Sequence, residues 1–101
     1  MSRPKKLFPE EARRTLTLIL DEGTYELSIH CLRDSMPKRN VTDLDIVNGL
    51  TSGQIIREAE WSDEHQKWKY RVEGADIEGD DLTAITVMFI EDLSVLVVTV
   101  F

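Results

Sequence analysis

Residues 82–101 consist of two almost uninterrupted apolar segments, LTAITVMFI and LSVLVVTVF, which are separated only by Glu91 and Asp92. Their content of Val, Ile, Phe and Thr favours extended structure. A strand that is apolar on both of its alternating faces is typical of the centre of a sheet. The two segments therefore predict a pair of central strands, 82–90 and 93–101, which are joined by a tight turn and paired with each other.

A second pair of strands is predicted just before them. The segments QIIREAEW at 54–61 and KWKYRV at 67–72 are separated by the polar sequence SDEHQ, which predicts a β-hairpin. Basic residues alternate with apolar ones in the second segment, so the two faces of this strand differ. One face is predicted to carry Trp68, Tyr70 and Val72, and the other Lys67, Lys69 and Arg71.

The chain before residue 54 has a helical pattern. A first helix is predicted from Pro9, which suits a first helical turn, to Gly23, which ends it. A short extended piece follows at 24–27. A third helix is predicted from Thr42, because Asp45 stands at the capping-box position, and it ends in the sequence TSG at 51–53.

The second predicted helix carries His30, the first of only two histidines. Ser28 can cap this helix, and Pro37 is predicted to stop it. Its buried face is predicted to consist of three apolar residues at helical spacing, Ile29, Leu32 and Met36. His30 is therefore expected on the opposite, polar side of the helix.

The order of elements is helix, short strand, two helices and four strands in a meander. This order predicts an α+β fold in which N-terminal helices pack on a twisted antiparallel sheet of four to five strands. Residues 1–7 are predicted to be a flexible basic tail, since MSRPKK offers little to bury. Residues 8–101 are predicted to form a single domain, as expected for 101 residues of which 42% are hydrophobic.

Charge and cysteine content exclude several classes of function. The formal net charge of -7 argues against DNA binding by the chain itself, because the phosphates would be repelled, although a local basic patch is compatible with RNA. Cys31 is the only cysteine, so no internal disulfide is expected and we expect a cytoplasmic protein. No apolar run has the length needed to span a bilayer, so no membrane partner is expected.

The order of elements resembles the RelE-like toxin fold of the BECR type. In detail the chain is most similar to the MqsR-like ribonucleases and to the related prokaryotic family called domain of unknown function 4258. The resemblance covers roughly residues 24–101. It is carried by a histidine-containing helix, the run MPKRNVTDLDIVNGLTSGQII, the hairpin sequence WSDEHQKW and the two closing apolar segments.

The resemblance implies a metal-independent endoribonuclease, the mRNA-cleaving toxin of a toxin–antitoxin system, with an antitoxin as its protein partner. Neither a metal nor a cofactor is implied. Such cleavage needs a proton-transfer group and cations around the phosphate, and a histidine suits proton transfer because its pKa lies near neutrality. The implied catalytic residues are His30, Arg39 and Tyr70. The implied RNA- and phosphate-binding residues are Arg33, Arg57, Lys69 and Arg71.

These residues also have purely structural interpretations. His30 stands four residues before Asp34, as in an ordinary ion pair on a helix surface, and a basic strand face is typical of a solvated sheet. Tyr70 alternates with core residues. Leu82 and Phe101 stand near the positions where the resemblance places a catalytic tyrosine and a lysine. The alternative function is therefore a catalytically inactive RelE-like fold that acts as a protein-interaction module.

Overall fold

The computed structural model describes residues 3–101. Within these residues the chain forms three α-helices and five β-strands, together with one π-helical turn and one 3-10 turn. The elements are α1 (Pro9–Glu22), β1 (Thr24–Leu27), the π turn (Cys31–Ser35), α2 (Met36–Arg39), α3 (Asp43–Ser52), β2 (Glu60–Ser62), β3 (Lys67–Ala75), β4 (Asp81–Phe89), the 3-10 turn (Ile90–Asp92) and β5 (Ser94–Val100). None of the helices in this part of the chain combines the length and the apolar character needed to cross a membrane.

The five strands form one sheet in the order β1-β5-β4-β3-β2. Strands β2 to β5 form an antiparallel meander in which β4 and β5 are neighbours inside the sheet, which confirms the predicted central pair. Strand β1 lies parallel to β5, with Thr24 opposite Ser94 and Leu27 opposite Val97, so the sheet is mixed. The predicted α+β fold, with N-terminal helices on a sheet, is confirmed.

Helices α1 and α3 pack on one face of this sheet and enclose the core. The alternation predicted for β3 is confirmed, because Tyr70 and Val72 are buried whereas Lys69 and Arg71 lie half-buried on the opposite face. The helices bury Ala12, Leu16, Ile19, Ile46 and Leu50 against the sheet. The face that carries Lys69 and Arg71, called the open face below, therefore remains accessible to solvent.

Helix α3 approaches β3 more closely than side chains normally allow. A Cβ atom at Gly74 would lie 2.4 Å from the carbonyl oxygen of Gly49 and 3.0 Å from the Cα atom of Gly53. At Gly49, in contrast, an added Cβ would meet its nearest atoms at 3.5 Å, which is an ordinary contact. The position of α3 on the sheet thus depends on the absence of a side chain at Gly74.

We expect Gly74→Ala to lower the free energy of unfolding by about 1–3 kcal/mol, because the added methyl group forces α3 away from β3. The matched control is Gly49→Ala in the same contact, which we expect to be neutral or stabilising by about 0.5–1 kcal/mol because alanine favours a helix interior. Urea denaturation of both variants measures the difference. Equal effects of the two changes would show that the close approach is not a constraint.

The first strand of the predicted hairpin is shorter than the sequence suggested. Of the segment 54–61, only Glu60 and Trp61 belong to β2, while Gln54 makes an isolated bridge to Glu73. Six positions separate Gln54 from Glu60, but only four separate their partners Glu73 and Lys69, so the segment is too long for a continuous ladder. The intervening residues leave the sheet, and the prediction of a strand from Gln54 is wrong.

The second helix does not end at Pro37, as was predicted. The helical path continues to Arg39 and ends at Asn40, which adopts the left-handed conformation with φ 55°. The π turn explains this, because the Met36 amide bonds to the Cys31 carbonyl five residues back and α2 begins again after it. Pro37 then stands in the first turn of α2, where its missing N–H group costs nothing.

The buried face of this helical segment also differs from the prediction. Ile29 and Leu32 are 67% and 50% exposed, whereas Cys31 and Ser35 are buried. The Ser28 hydroxyl accepts a hydrogen bond from the Cys31 amide at 3.0 Å, which fixes the first turn with Cys31 towards the core. Ser35, four residues further on, lies on the same side, so Ile29 and Leu32 point outward. Met36 follows the π turn and is partly buried against the core, so it alone of the three predicted residues packs as expected.

The predicted tail includes residues 1–2, which lie outside the described residues, and its flexibility stays a prediction. Residues 3–7 lie against the β2–β3 hairpin. The carbonyl of Pro4 accepts a hydrogen bond from the indole of Trp68 at 2.8 Å, and the Leu7 amide donates to the Tyr70 hydroxyl at 3.0 Å.

Candidate functional site

A helical segment at the edge of the sheet carries the candidate site. We call residues 29–39, which include the π turn and α2, the rim helix. Strand β1 pairs with β5 only as far as Val97, and the rim helix lies beside the next residues of β5. The Ser28 hydroxyl donates to the Val98 carbonyl at 2.7 Å, and the hydroxyls of Ser35 and Thr99 lie 2.7 Å apart. These polar contacts fix the rim helix against the end of β5.

A pocket of about 300 Å³ lies between the rim helix and the end of β5, and we call it the rim pocket. It brings together His30 and Arg39, two of the predicted catalytic residues, although they lie nine positions apart. The imidazole Nδ1 of His30 lies 3.1 Å from the Asp34 carboxylate. The Arg39 guanidinium donates to the Asp81 carbonyl oxygen. The pocket is lined by His30, Asp34, Ser35, Lys38, Arg39, Thr99, Val100 and Phe101.

Phe101 connects the rim pocket to the cations of β3. Its backbone amide and carbonyl pair with those of Thr83 on β4, and its ring is 50% exposed. The guanidinium carbon of Arg71 lies 5.1 Å from the centre of this ring, a cation–π distance. Arg71 therefore contacts one wall of the pocket that contains His30 and Arg39.

A second, smaller pocket of about 100 Å³ lies on the open face beside Arg71, and we call it the strand cleft. It brings together Arg57, Lys69 and Arg71, as the sequence suggested. The Glu73 carboxylate lies 3.9 Å from the Nε atoms of both Arg57 and Arg71. The Arg71 Nε is buried and has no hydrogen-bond partner among residues 3–101. The cleft is lined by Arg57, Glu58, Glu60, Lys69, Arg71 and Ile85.

The sheet register sets the spacing between the two pockets. Arg71 lies opposite Ile85 on β4, and Ile85 lies opposite Thr99 on β5. Two strand spacings separate Arg71 from Thr99, which corresponds to roughly 10 Å between their backbones. The rim pocket and the strand cleft are thus neighbouring sites on the open face, two strands apart.

Two predicted residues do not join these pockets. Arg33 is exposed on the rim helix and lines neither pocket. Tyr70 is 5% exposed and points into the core, on the face of the sheet opposite Lys69 and Arg71. Burial raises the pKa of the Tyr70 phenol above its usual value, and its hydroxyl is occupied by the Leu7 amide. Its strand position places Tyr70 apart from the other residues expected to be catalytic.

The polar contacts that build the rim pocket could not be predicted from the residue types alone. Thr99 is a hydroxyl residue inside the otherwise apolar segment LSVLVVTVF, and Ser35 is small and polar in the predicted helix. Neither residue type indicates a partner 64 positions away. Phe101 looked like a further core residue of the strand, and only the register of β5 on β4 places its ring beside Arg71.

These features define a class of small two-layer α+β domain, in which an open sheet face that carries three basic side chains is bordered by a histidine-bearing rim helix. The family model described as Domain of unknown function (DUF4258) matches residues 27–101, so the chain belongs to this family. The match includes the rim helix and every residue that lines the two pockets. No curated protein and no solved structure matches the chain at a significant level.

We expect Thr99→Val to lower the free energy of unfolding by about 1–3 kcal/mol, because it leaves the buried Ser35 hydroxyl without its partner. Adding Ser35→Ala should recover part of this loss, since the unpaired hydroxyl is then removed. The control is Thr83→Val, the same change at a half-buried threonine on β4 that does not contact the rim helix. Thermal unfolding of these three variants and of Ser35→Ala alone tests the contact, and strictly additive losses from Thr99→Val and Ser35→Ala would contradict it.

Proposed function

We propose that this domain is a metal-independent endoribonuclease of the toxin type, related to the RelE-like and MqsR-like ribonucleases. The observation that supports the proposal is the rim pocket, in which His30 and Arg39 meet beside the cation-bearing open face. In this acidic chain Lys67, Lys69 and Arg71 stand together on that face, where each can contact an RNA phosphate. Its mRNA substrate would place the activity in the cytoplasm.

The proposed reaction is attack by a ribose 2′-oxygen on the adjacent phosphorus atom. His30 takes the 2′-hydroxyl proton, the bond from phosphorus to the 5′-oxygen breaks, and water at the exposed pocket supplies the proton for the leaving oxygen. Arg39 and Arg71 stabilise the charge on the phosphate. Arg39 has N–H donors left for this role, because the contact with Asp81 uses only one of its two terminal nitrogens.

Asp34 has a defined part in this arrangement. Its carboxylate lies at hydrogen-bond distance from the His30 Nδ1, which leaves the Nε2 atom of the ring for the 2′-hydroxyl. Both side chains are about 60% exposed, so the pair remains accessible to substrate. A histidine that is oriented by a carboxylate and open to solvent is suited to act as a general base.

We expect His30→Ala to reduce RNA cleavage by about 100-fold or more, since it removes the proton-transfer group. The matched control is His65→Ala, which removes the other histidine, located in the hairpin turn where it bonds to Ser62. This control should keep full cleavage. The readout is cleavage of a mixed-sequence RNA in the presence of EDTA, with melting temperatures recorded for both variants.

Wild-type protein that cleaves no RNA, or equal cleavage by wild type and His30→Ala, would overturn the ribonuclease proposal. A loss of melting temperature confined to His30→Ala would mean that the histidine is structural. Because the side chain is exposed, we expect the two variants to melt within a few degrees of wild type.

The second candidate function is a protein-interaction module, and the exposed apolar residues of the rim helix favour it. Ile29 and Leu32 project into solvent on the same helix that carries His30. An antitoxin-like protein encoded in the same operon is the partner that we propose for either function.

We expect Ile29→Asp with Leu32→Asp to abolish co-purification of a partner encoded in the native operon, because charges would be buried in the contact. Ile77→Asp is the control, since Ile77 is equally exposed but lies in the turn between β3 and β4. Retention of the partner by the rim-helix variant, or its loss from both variants, would contradict this contact.

A further inference from the structure

The charges around the strand cleft nearly cancel. Its cations are Arg57, Lys69 and Arg71. Three carboxylates lie among or beside them, those of Glu58, Glu60 and Glu73. A cleft with balanced charges attracts an anion weakly, because the field of its cations is offset by that of its carboxylates. One additional positive charge would change this balance.

Lys6 supplies such a charge. It lies before residues 27–101, the part of the chain that the family model matches. Its ammonium group donates a hydrogen bond to the Oε1 atom of Glu58 and lies 5.3 Å from the centre of the Trp68 ring. This hydrogen bond, and then the attraction between the charges, hold the pKa of the Glu58 carboxyl below its usual value. Glu58 thus lines the cleft, but its carboxylate pairs with Lys6, which does not line the cleft.

The backbone on both sides of Lys6 is fixed to the hairpin. The Pro4 carbonyl accepts from the Trp68 indole, and the Leu7 amide donates to the buried Tyr70 hydroxyl. The Lys6 side chain is 30% exposed. An exposed ion pair held only by two long side chains usually contributes little, but here the chain that carries the lysine is already positioned.

We propose that Lys6 is a positioning residue for phosphate binding, which holds Glu58 away from the three cations and gives the strand cleft its net positive charge. This inference rests on the proposed RNA binding and adds a means of controlling it. If Lys6 were displaced from the hairpin, the Glu58 carboxylate would be free to pair with the cleft cations and compete with phosphate. Residues 3–7 therefore act as an electrostatic strap across Glu58.

Two lysine variants with the same change in net charge test this proposal. In Lys6→Ala the binding of a 2′-O-methyl hexauridine RNA, which resists cleavage, should weaken about threefold to tenfold at low salt, because a nearby charge is lost. In Lys5→Ala it should weaken by less than about twofold, since Lys5 faces Glu11 at 3.7 Å and does not contact the cleft. Fluorescence anisotropy measures both affinities.

The double variant Lys6→Ala with Glu58→Gln distinguishes positioning from a merely structural role. Removal of the Glu58 charge should restore most of the affinity, because no carboxylate then competes for the cations. If Lys6→Ala fails to fold, Glu58→Gln alone serves instead, and it should bind the RNA more tightly than wild type. Equal losses in the two lysine variants, or no recovery with Glu58→Gln, would overturn the proposal.

Inorganic tripolyphosphate separates this inference from the proposed function. Binding of tripolyphosphate that depends on Lys6, without binding or cleavage of RNA, would support the strap and contradict the ribonuclease. Equal cleavage of RNA by wild type and Lys6→Ala would support the ribonuclease and contradict the strap. A wild-type protein that binds neither probe would overturn both.

Discussion

The candidate site depends on the change from strand to helix along the edge of β5, where β1 covers the first part of the strand and the rim helix covers the end. Strand β1 pairs with the first part of β5 and ends at Leu27, and the Ser28 hydroxyl then bonds to the Val98 carbonyl. This single side chain turns the chain from strand to helix, because it also accepts from the Cys31 amide. The rim helix is thereby placed beside the end of β5 instead of across the sheet. This turn, together with the contact between Ser35 and Thr99, brings His30 and Arg39 to the open face.

The sheet could be predicted from the sequence because its signals are local. Alternation along β3 identified the two faces of that strand, and the unbroken apolar segments identified β4 and β5. The same alternation assigned Tyr70 to the core, while the family resemblance assigned it to catalysis, and the structure separates it from His30. The two-residue period assigns side chains to the correct face because successive residues of a strand point to opposite faces of the sheet.

The rim helix could not be predicted correctly because its geometry depends on distant contacts. Helical spacing put Ile29, Leu32 and Met36 on one buried face, but the contact between Ser28 and Cys31 turns the core side away from the first two. The π turn then changes the number of residues per turn, and only Met36 packs against the core. The contact between Ser35 and Thr99 that holds this geometry joins the two ends of the matched region. Individual residues such as His30 and Arg39 were found by their chemistry, whereas the pocket that joins them was not.

We propose that RNA binds to one surface, the open face with its rim helix. The most direct measurement is the shift of backbone amide signals by NMR on addition of 2′-O-methyl hexauridine RNA. We predict shifts at His30, Arg71 and Thr99, and none at Leu16 or Ile46 in the layer of helices on the other face. Shifts concentrated in α1 and α3, or no shifts at any concentration of RNA, would contradict the account.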